Sequence, residues 1–328
     1  MRAELLHSMN EPKISVVIPT RNRPELVCAA VRSVLAQTYS DFEIVVVVDG
    51  PDQATVDALN GIGDARIHTV ALEQNVGGAE ARNVGARNAR GAWIALLDDD
   101  DEWLPRKLEV QMRLAAQSSG QKTLIVSGFL FRKPGWPDVP SPKRLPQDRK
   151  RISEYPFAPH SGFQTSVFVC SRELFLRVPF VKGLPGMQDI DWFLRVMADP
   201  EVQLLIAPEP LSIYNAPVGR QTITTGLSWE KPLTWAQNNR HLMTRRAYSL
   251  FIIRSCVTKA AEQHAGLRSF IRLFRECMFQ GSPNLHIVFL FFSRSLLSED
   301  RRQGFRAFLR RFSLRRSSEP VYDARGTS

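Results

Sequence analysis

Trp93-Ile94-Ala95-Leu96-Leu97-Asp98-Asp99-Asp100-Asp101-Glu102-Trp103-Leu104-Pro105 is the stretch on which the fold turns. Five apolar residues in a row suit a strand buried on both faces. The run then stops in four aspartates. One reading is a solvated acidic turn. The other starts from repulsion: four like charges crowd one another unless a cation sits among them. Trp103, following at once, fits poorly in an open polar loop. Oxygen ligands of this type suit Mg2+ or Mn2+, ions that usually also take phosphate oxygens from a substrate.

Outward from this stretch, strands and helices alternate. Ile14–Ile18 is a short apolar strand closed by Pro19. Pro24 suits the first turn of a helix whose Val27, Val31, Val34 and Leu35 follow helical spacing. Phe42–Val48 reads as a second buried strand, Gln53–Asn60 as a short helix, Arg66–Val70 as a strand and Gly77–Arg90 as a helix. On the other side, helix Pro105–Ala116 and strand Thr123–Phe131 follow. Strands separated by helices of this length predict an α/β fold with a mostly parallel central sheet and helices on both faces. Ligands of such sheets bind beyond the carboxyl ends of the strands. Those ends carry Pro19-Thr20-Arg21, Asp49 and Asp98–Asp101.

Seven prolines between 133 and 159 predict a long mobile loop there, one that orders when a ligand binds. Gly162–Cys170 is strand-like, Asp189–Met197 helical, and Val202–Ile206 a strand. From Trp229 the pattern is helical, with segments at Arg246–Ala261, Leu267–Phe279 and Gly304–Phe312. The expected organisation is an extension over 1–12 and a catalytic domain over 13–228. That domain has one half at about 13–131, the loop 133–159, and a second half at about 160–228. A basic helical region over 229–316 and a flexible tail over 317–328 complete it.

Charge is unevenly placed. Residues 241–328 hold 16 Lys and Arg against 6 Asp and Glu, so the whole net charge of +10 lies there and residues 1–240 are neutral. Phe251, Ile252 and Ile253, then Phe270, Ile271, Leu273 and Phe274, then Phe305, Phe308, Leu309 and Phe312 are interleaved with Arg254, Arg268, Arg272, Arg275, Arg306, Arg310 and Arg311. Such helices suit an anionic membrane surface, or they pack their apolar faces on the catalytic domain and show arginine to water. No run reaches the roughly 18 apolar residues of a membrane-crossing helix, Ile287–Phe292 being the nearest. Met1–Asn10 lacks the apolar core of a signal peptide, so the expected location is the cytoplasm, peripheral to the inner face of the plasma membrane. Cys28, Cys170, Cys256 and Cys277 are scattered without a CxxC pair, which argues against a disulfide framework or a zinc site. The basic tail also allows phosphate contacts to nucleic acid, but no nucleic-acid motif accompanies it, and none is expected as a partner.

Three further positions carry chemistry. Arg82, early in the helix opened by Asn75-Val76-Gly77-Gly78, is a surface arginine or a bidentate clamp for a diphosphate. Asp49 beside Gly50 is a turn residue or an acceptor for the imide N–H of a pyrimidine. Asp189 caps the following helix or stands at its start as a general base; Asp191, two residues on, points elsewhere.

Together these segments resemble the family-2 glycosyltransferases. The residues concerned are Ser15–Arg23, Val48-Asp49-Gly50, Asn75–Gly85, Asp98–Pro105, and Gln188-Asp189 with Arg195, in the family's order over about residues 13–215. The resemblance implies a GT-A-type fold, a nucleoside-diphosphate sugar donor expected to be UDP-linked, and a saccharide or lipid-linked acceptor. Pro19, Thr20 and Arg21 would line the nucleotide pocket. Asp49 would meet the base, and Arg82 the base or diphosphate. Asp98 and Asp99 would contact the nucleotide sugar. Asp98 and Asp100 would hold Mn2+ or Mg2+, Asp100 most directly, and Asp189 would be the catalytic base of an inverting displacement. Two departures stand out. Val48-Asp49-Gly50-Pro51 lacks one acid of the usual Asp-Asp-Gly-Ser, and Gln188 replaces a glutamate. A nucleotidyltransferase or nucleotide-sugar hydrolase on the same scaffold is the rival expectation.

Overall fold

The computed structural model describes residues 12–118, 120–142, 149–157, 164–216, 226–282 and 284–296. Residues 1–11 of the expected extension over 1–12, the helix at Gly304–Phe312 and the tail from 317 lie outside them. The described residues form two compact units. The first runs to Leu227 and takes in Asn239–Ala247; the second joins Ser228–Asn238 to the residues from Tyr248 on.

The first unit begins β1 (Ile14–Thr20), α1 (Pro24–Leu35), β2 (Phe42–Val48), α2 (Gln53–Asn60), β3 (Ile67–Ala71), α3 (Gly78–Asn88) and β4 (Trp93–Leu96). It continues with β5 (Glu102–Trp103), α4 (Lys107–Ala115), β6 (Thr123–Arg132), β7 (Val139–Ser141), β8 (Val169–Ser171), α5 (Arg172–Arg177), α6 (Gln188–Met197) and β9 (Gln203–Asn215). The sheet order is β3-β2-β1-β4-β8-β6-β9-β5, with β7 alongside β6. β1 to β4 are parallel, as their continuous apolar runs predict. Alternate residues face opposite layers. Ile14, Val16, Ile18, Ile44, Val46 and Val48 pack in one core with α1 and α4, while Val45 and Val47 pack with Ala81 and Val84 of α3. Gly85 lets α3 lie this close: a Cβ there would collide with Val17 of β1.

Beyond β4 the mostly parallel sheet becomes mixed. β6 is not the next neighbour, because β8 lies between them, antiparallel to both. β9 extends to Asn215, well past the expected Ile206, and its far end holds β5 antiparallel. The proline-rich stretch is also more regular than a mobile loop where it is described. Val139–Ser141 pairs with β6 as an edge strand that tolerates Pro140. Arg149–Phe157 is a 3-10 turn with Ile152, Tyr155 and Phe157 buried, and its Arg149 donates to the carbonyls of Val202 (2.6 Å) and Asp199 (2.9 Å). Proline forbids long helices and central strands, not short edge strands or tight turns. The same turn accepts Thr244, whose N–H donates to Ser153 Oγ (3.0 Å), which is why 239–247 belong to this unit.

The second unit is helical: α7 (Glu230–Asn238), α8 (Arg245–Phe251, its end lying in this unit) running through a π-helical turn into α9 (Thr258–Glu262), then α10 (Leu267–Arg275) and α11 (Leu285–Leu296). Phe251, Ile252, Ile253 and Leu273 are its core. Among the described residues no helix is long and apolar enough to cross a membrane. All four cysteines are buried with free thiols.

Candidate active site

A cleft of about 530 Å³ opens beyond the carboxyl ends of β1, β2 and β4. Pro19, Thr20 and Arg21, from the end of β1, line it together with Asp49 after β2. Arg82, Asp98, Asp99 and Asp100 line it as well. Asp189 follows Gln188, a lining residue, in the first turn of α6; it is half-buried and close enough to Asp98 and Arg82 to feel both charges. All nine residues predicted from the sequence therefore gather in one place.

The four aspartates divide their tasks. Carboxylate oxygens of Asp98, Asp100 and Asp101 lie within 4.8 Å of one another, a hard-oxygen set close enough to share a small divalent cation. Asp101, absent from the sequence-based ligand set, is buried beneath the other two. Burial, then the Asp98 charge, raises its carboxyl well above the usual range, although Ser166 Oγ donates to it (2.7 Å). Asp99 turns the other way, accepting from Thr20 Oγ1 (2.8 Å) and Arg23 (3.0 Å). It thus ties the strand end together, and its carboxylate and the Thr20 hydroxyl have protein partners, unlike the free nucleotide contacts expected of them. Burial still raises its pKa against the pull of Arg23 and Thr20.

A layer below fixes the acidic turn. Ser166 Oγ accepts from the Asp98 N–H (3.1 Å), and Trp103 Nε1 donates to the Ser166 carbonyl (3.0 Å). Asn215, at the end of β9, donates from Nδ2 to the Asp100 carbonyl (3.0 Å) and from its backbone to Asp101 Oδ1 (3.3 Å). Under Trp103 lies fully buried Lys107, its ammonium nitrogen 4.9 Å from the ring centre and bonded to Gln111; burial drives its pKa far down.

Arg82 joins the two halves of the site. Its Nη2 donates to Asp98 Oδ1 (2.5 Å) and its Nη1 to Gln188 Oε1 (2.9 Å), while its buried Nε has no partner among the described residues. The guanidinium expected to clamp a diphosphate is thus anchored to the Asp98 carboxylate, because α3 opens directly opposite the acidic turn. Asp49 is likewise engaged: its two oxygens accept the N–H groups of Val76 (2.7 Å) and Gly77 (3.0 Å), holding the entry to α3. Gly50, at φ 107°, makes the turn that brings Asp49 there.

Asp189 Oδ1 accepts the N–H of Ile190 (2.9 Å). Burial, reinforced by Asp98 and opposed by Arg82, pushes its pKa up to about 6. Met187, just before it, is held in the left-handed region (φ 57°), a local cost of about 1 kcal/mol that aims the start of α6. Asp191 faces away, buried and paired with Arg195 (2.8 Å). The sequence reading passed over Arg23, Asp101, Ser166 and Asn215. Arg23 and Asp101 sit inside segments it had singled out, whereas Ser166 and Asn215 carried no local signal.

Comparison with known proteins places this geometry. The sequence model of the family described as glycosyl transferase family 2 matches residues 15–178. WcaA of Escherichia coli (strain K12), named for colanic acid biosynthesis, is 31% identical over 225 residues, covering 62% of this chain and 80% of WcaA. Among solved structures, S. aureus TarS 1-349 in complex with UDP-GlcNAc superposes with a TM-score of 0.53 at 16% identity, over 86% of this chain and 79% of that one; the match takes in 50% of a longer TarS chain. The mannosyltransferase PcManGT from Pyrobaculum calidifontis, in complex with GDP-Man and Mn2+, gives 0.50 at 16% identity, over 93% of this chain and 81% of that one. At such identities the structural likeness speaks for the fold.

Proposed function

For a chain that belongs to glycosyl transferase family 2, and so is a glycosyltransferase, we propose transfer of a sugar from a UDP-linked donor to an acceptor hydroxyl with inversion at the anomeric carbon. The product would be a bacterial surface polysaccharide or glycolipid, the acceptor a saccharide or a lipid-linked saccharide met in the cytoplasm at the inner face of the plasma membrane. The WcaA name supports the first part, and the nucleotide sugars held by TarS and PcManGT support the donor class. One observation carries the reading: a carboxylate with a pKa near 6 shares a cleft with a three-carboxylate cluster, and Arg82 bridges that cluster to the residue beside it.

In this reading Asp189, largely ionised at neutral pH, takes the proton of the acceptor hydroxyl. The acceptor oxygen then attacks the anomeric carbon as the bond to the diphosphate oxygen breaks, and a single displacement inverts the centre. Asp98, Asp100 and Asp101 would hold Mn2+ or Mg2+, which when bound supplies charge neutralisation for the departing diphosphate. Arg82 keeps Asp98 oriented and adds positive charge to the diphosphate side; Arg23, paired with Asp99 and Asp100, adds positive charge from the end of β1. Pro19, Thr20 and Arg21 form the nucleotide wall. Asp49 sets the backbone of 76–77 and keeps a lone pair on each oxygen for the base. Gln188, neutral where the family has an acid, leaves Asp189 as the carboxylate available at the start of α6.

The test is a screen of nucleotide sugars for binding with Mn2+ or Mg2+, followed by product analysis with saccharide and lipid-linked acceptors. Metal-dependent binding of a nucleotide sugar and a product of inverted configuration are expected. Release of free sugar with no acceptor product, or retention of configuration, would sink the reading.

A further inference from the structure

The second unit carries a surface that the transfer reaction does not use. On α10, Arg268, Ile271, Arg272 and Arg275 recur every three or four residues, which puts them on one face. The opposite face, with Leu273 and Cys277, is buried. The three arginines are exposed, and so are Leu267 (76%), Ile271 (51%) and Phe279 (72%) beside them. A groove of about 430 Å³ runs among these residues. Among the described residues none of the three arginines has an ion pair; Arg272 is steadied by the Trp229 ring, 5.8 Å from its centre. α11 adds an uncharged stripe. Leu285 (89%), Phe289 (59%) and Phe292 (47%) are exposed at i, i+4 and i+7, while Ile287 and Phe291 are buried on the other side. Phe274 joins the two helices, its ring 5.2 Å from Phe291 and 5.7 Å from Phe292.

We propose that this two-helix surface docks on an anionic phospholipid bilayer, with Arg268, Arg272 and Arg275 on lipid phosphates and Leu285, Phe289 and Ile271 entering the headgroup–acyl boundary. The chemistry selects this occupant. A partner must offer fixed negative charge and, beside it, an apolar layer deep enough for exposed phenylalanine and leucine; the bilayer surface has both. Nucleic acid supplies phosphates without the apolar layer. A second copy meeting this face two-fold would set arginine against arginine. The proposal stands apart from the identity of the donor and from the cleft.

The experiment is sedimentation of the full chain with vesicles of phosphatidylglycerol and phosphatidylcholine, and with phosphatidylcholine alone, at about 0.1 M and about 0.5 M salt. The wild type is expected to bind the anionic vesicles, to lose most binding in high salt, and to ignore the neutral ones. Replacing Arg268, Arg272 and Arg275 together by Gln should lower partitioning on the order of a hundredfold. Leu285→Ser with Phe289→Ser should lower it at both salt concentrations. Undiminished binding of the arginine variant would overturn the assignment, because another basic segment would then hold the vesicle. So would failure of the wild type to sediment, or a concentration-dependent dimer that these substitutions dissolve. Nucleotide-sugar affinity and the circular-dichroism spectrum, measured on each variant, should stay at the wild-type values, the first showing an intact cleft and the second intact helices. If nucleotide sugars fail to bind the wild type while vesicles do, the cleft has been misread and the docking surface stands.

Discussion

The acidic turn of the first unit and the basic face of the second both concentrate charge, and they treat it in opposite ways. Asp98, Asp99, Asp100 and Asp101 follow one another in the chain, yet each carboxylate has its own environment and named partners draw three of them in different directions: Arg82 for Asp98, Thr20 and Arg23 for Asp99, Ser166 and Asn215 for Asp101. The arginines of α10 stand in water with few partners. The difference separates positioning from accumulation. A reacting centre needs charges fixed to a fraction of an ångström, which takes burial and a supporting layer. Attachment to a soft surface needs only enough like charge within a screening length.

The comparison breaks most sharply at Asp189. Asp189→Asn should lower kcat about a thousandfold while nucleotide-sugar affinity stays within about twofold, because the lost group acts on the acceptor. Activity in Asp189→Asn with a dead Asp191→Asn would move the base two residues along. In the wild type, kcat/KM should be flat near neutral pH and fall about tenfold per pH unit below about 6, since the base must be ionised. The metal comes next. Asp100→Ala should weaken Mn2+-dependent donor binding by about a hundredfold with an unchanged circular-dichroism spectrum, and wild-type transfer by that variant would exclude Asp100 as a ligand. A smaller effect, about tenfold in Mn2+ affinity, is expected for Asn215→Ala, which removes only the brace from β9. An effect as large as that of Asp100→Ala would mean that Asn215 is itself a ligand.

The last expected effect is on folding stability and has the opposite sign. A carboxyl whose pKa rises from 3.8 to about 6 on folding favours its neutral form, so its stabilising contribution is complete below 3.8 and is lost as pH rises through about 6. At neutral pH and without metal, Asp189→Asn should therefore melt higher than the wild type, by at most about 3 kcal/mol, and the gain should vanish below pH 4. A variant that melts lower would show that the residue's main duty is structural.

Much of this was legible in the sequence, for physical reasons particular to certain residues. Ile14–Thr20 and Phe42–Val48 announce buried parallel strands because both of their faces are apolar. The aspartate run announces a site because so many like charges rarely follow a core strand without a reason. β8, three residues at the end of the strand-like Gly162–Cys170, gives no sign of its neighbours, and its place between β4 and β6 depends on pairing across more than forty residues of chain. Ser166 and Asn215 are ordinary polar residues that matter through partners 65 and 114 residues away. Lys107 gives no sign in the sequence of its burial: it stands near the charged Arg106 and Glu109, yet α4 turns it under Trp103. The prolines of 133–159 point to a loop, yet proline excludes only long helices and central strands and leaves room for the edge strand Val139–Ser141 and the turn Arg149–Phe157.

Buried Lys107 makes the protein its own reporter. Its side chain is fully buried, so acylating reagents reach it only when the layer beneath the acidic turn opens. Among the described lysines it should label last, at a rate set by how often that layer opens. A ligand that tightens the turn should slow the label at Lys107 and leave solvent-facing lysines untouched. Peptide mapping after timed acylation would then read the breathing of the site from underneath, with no substrate turnover required.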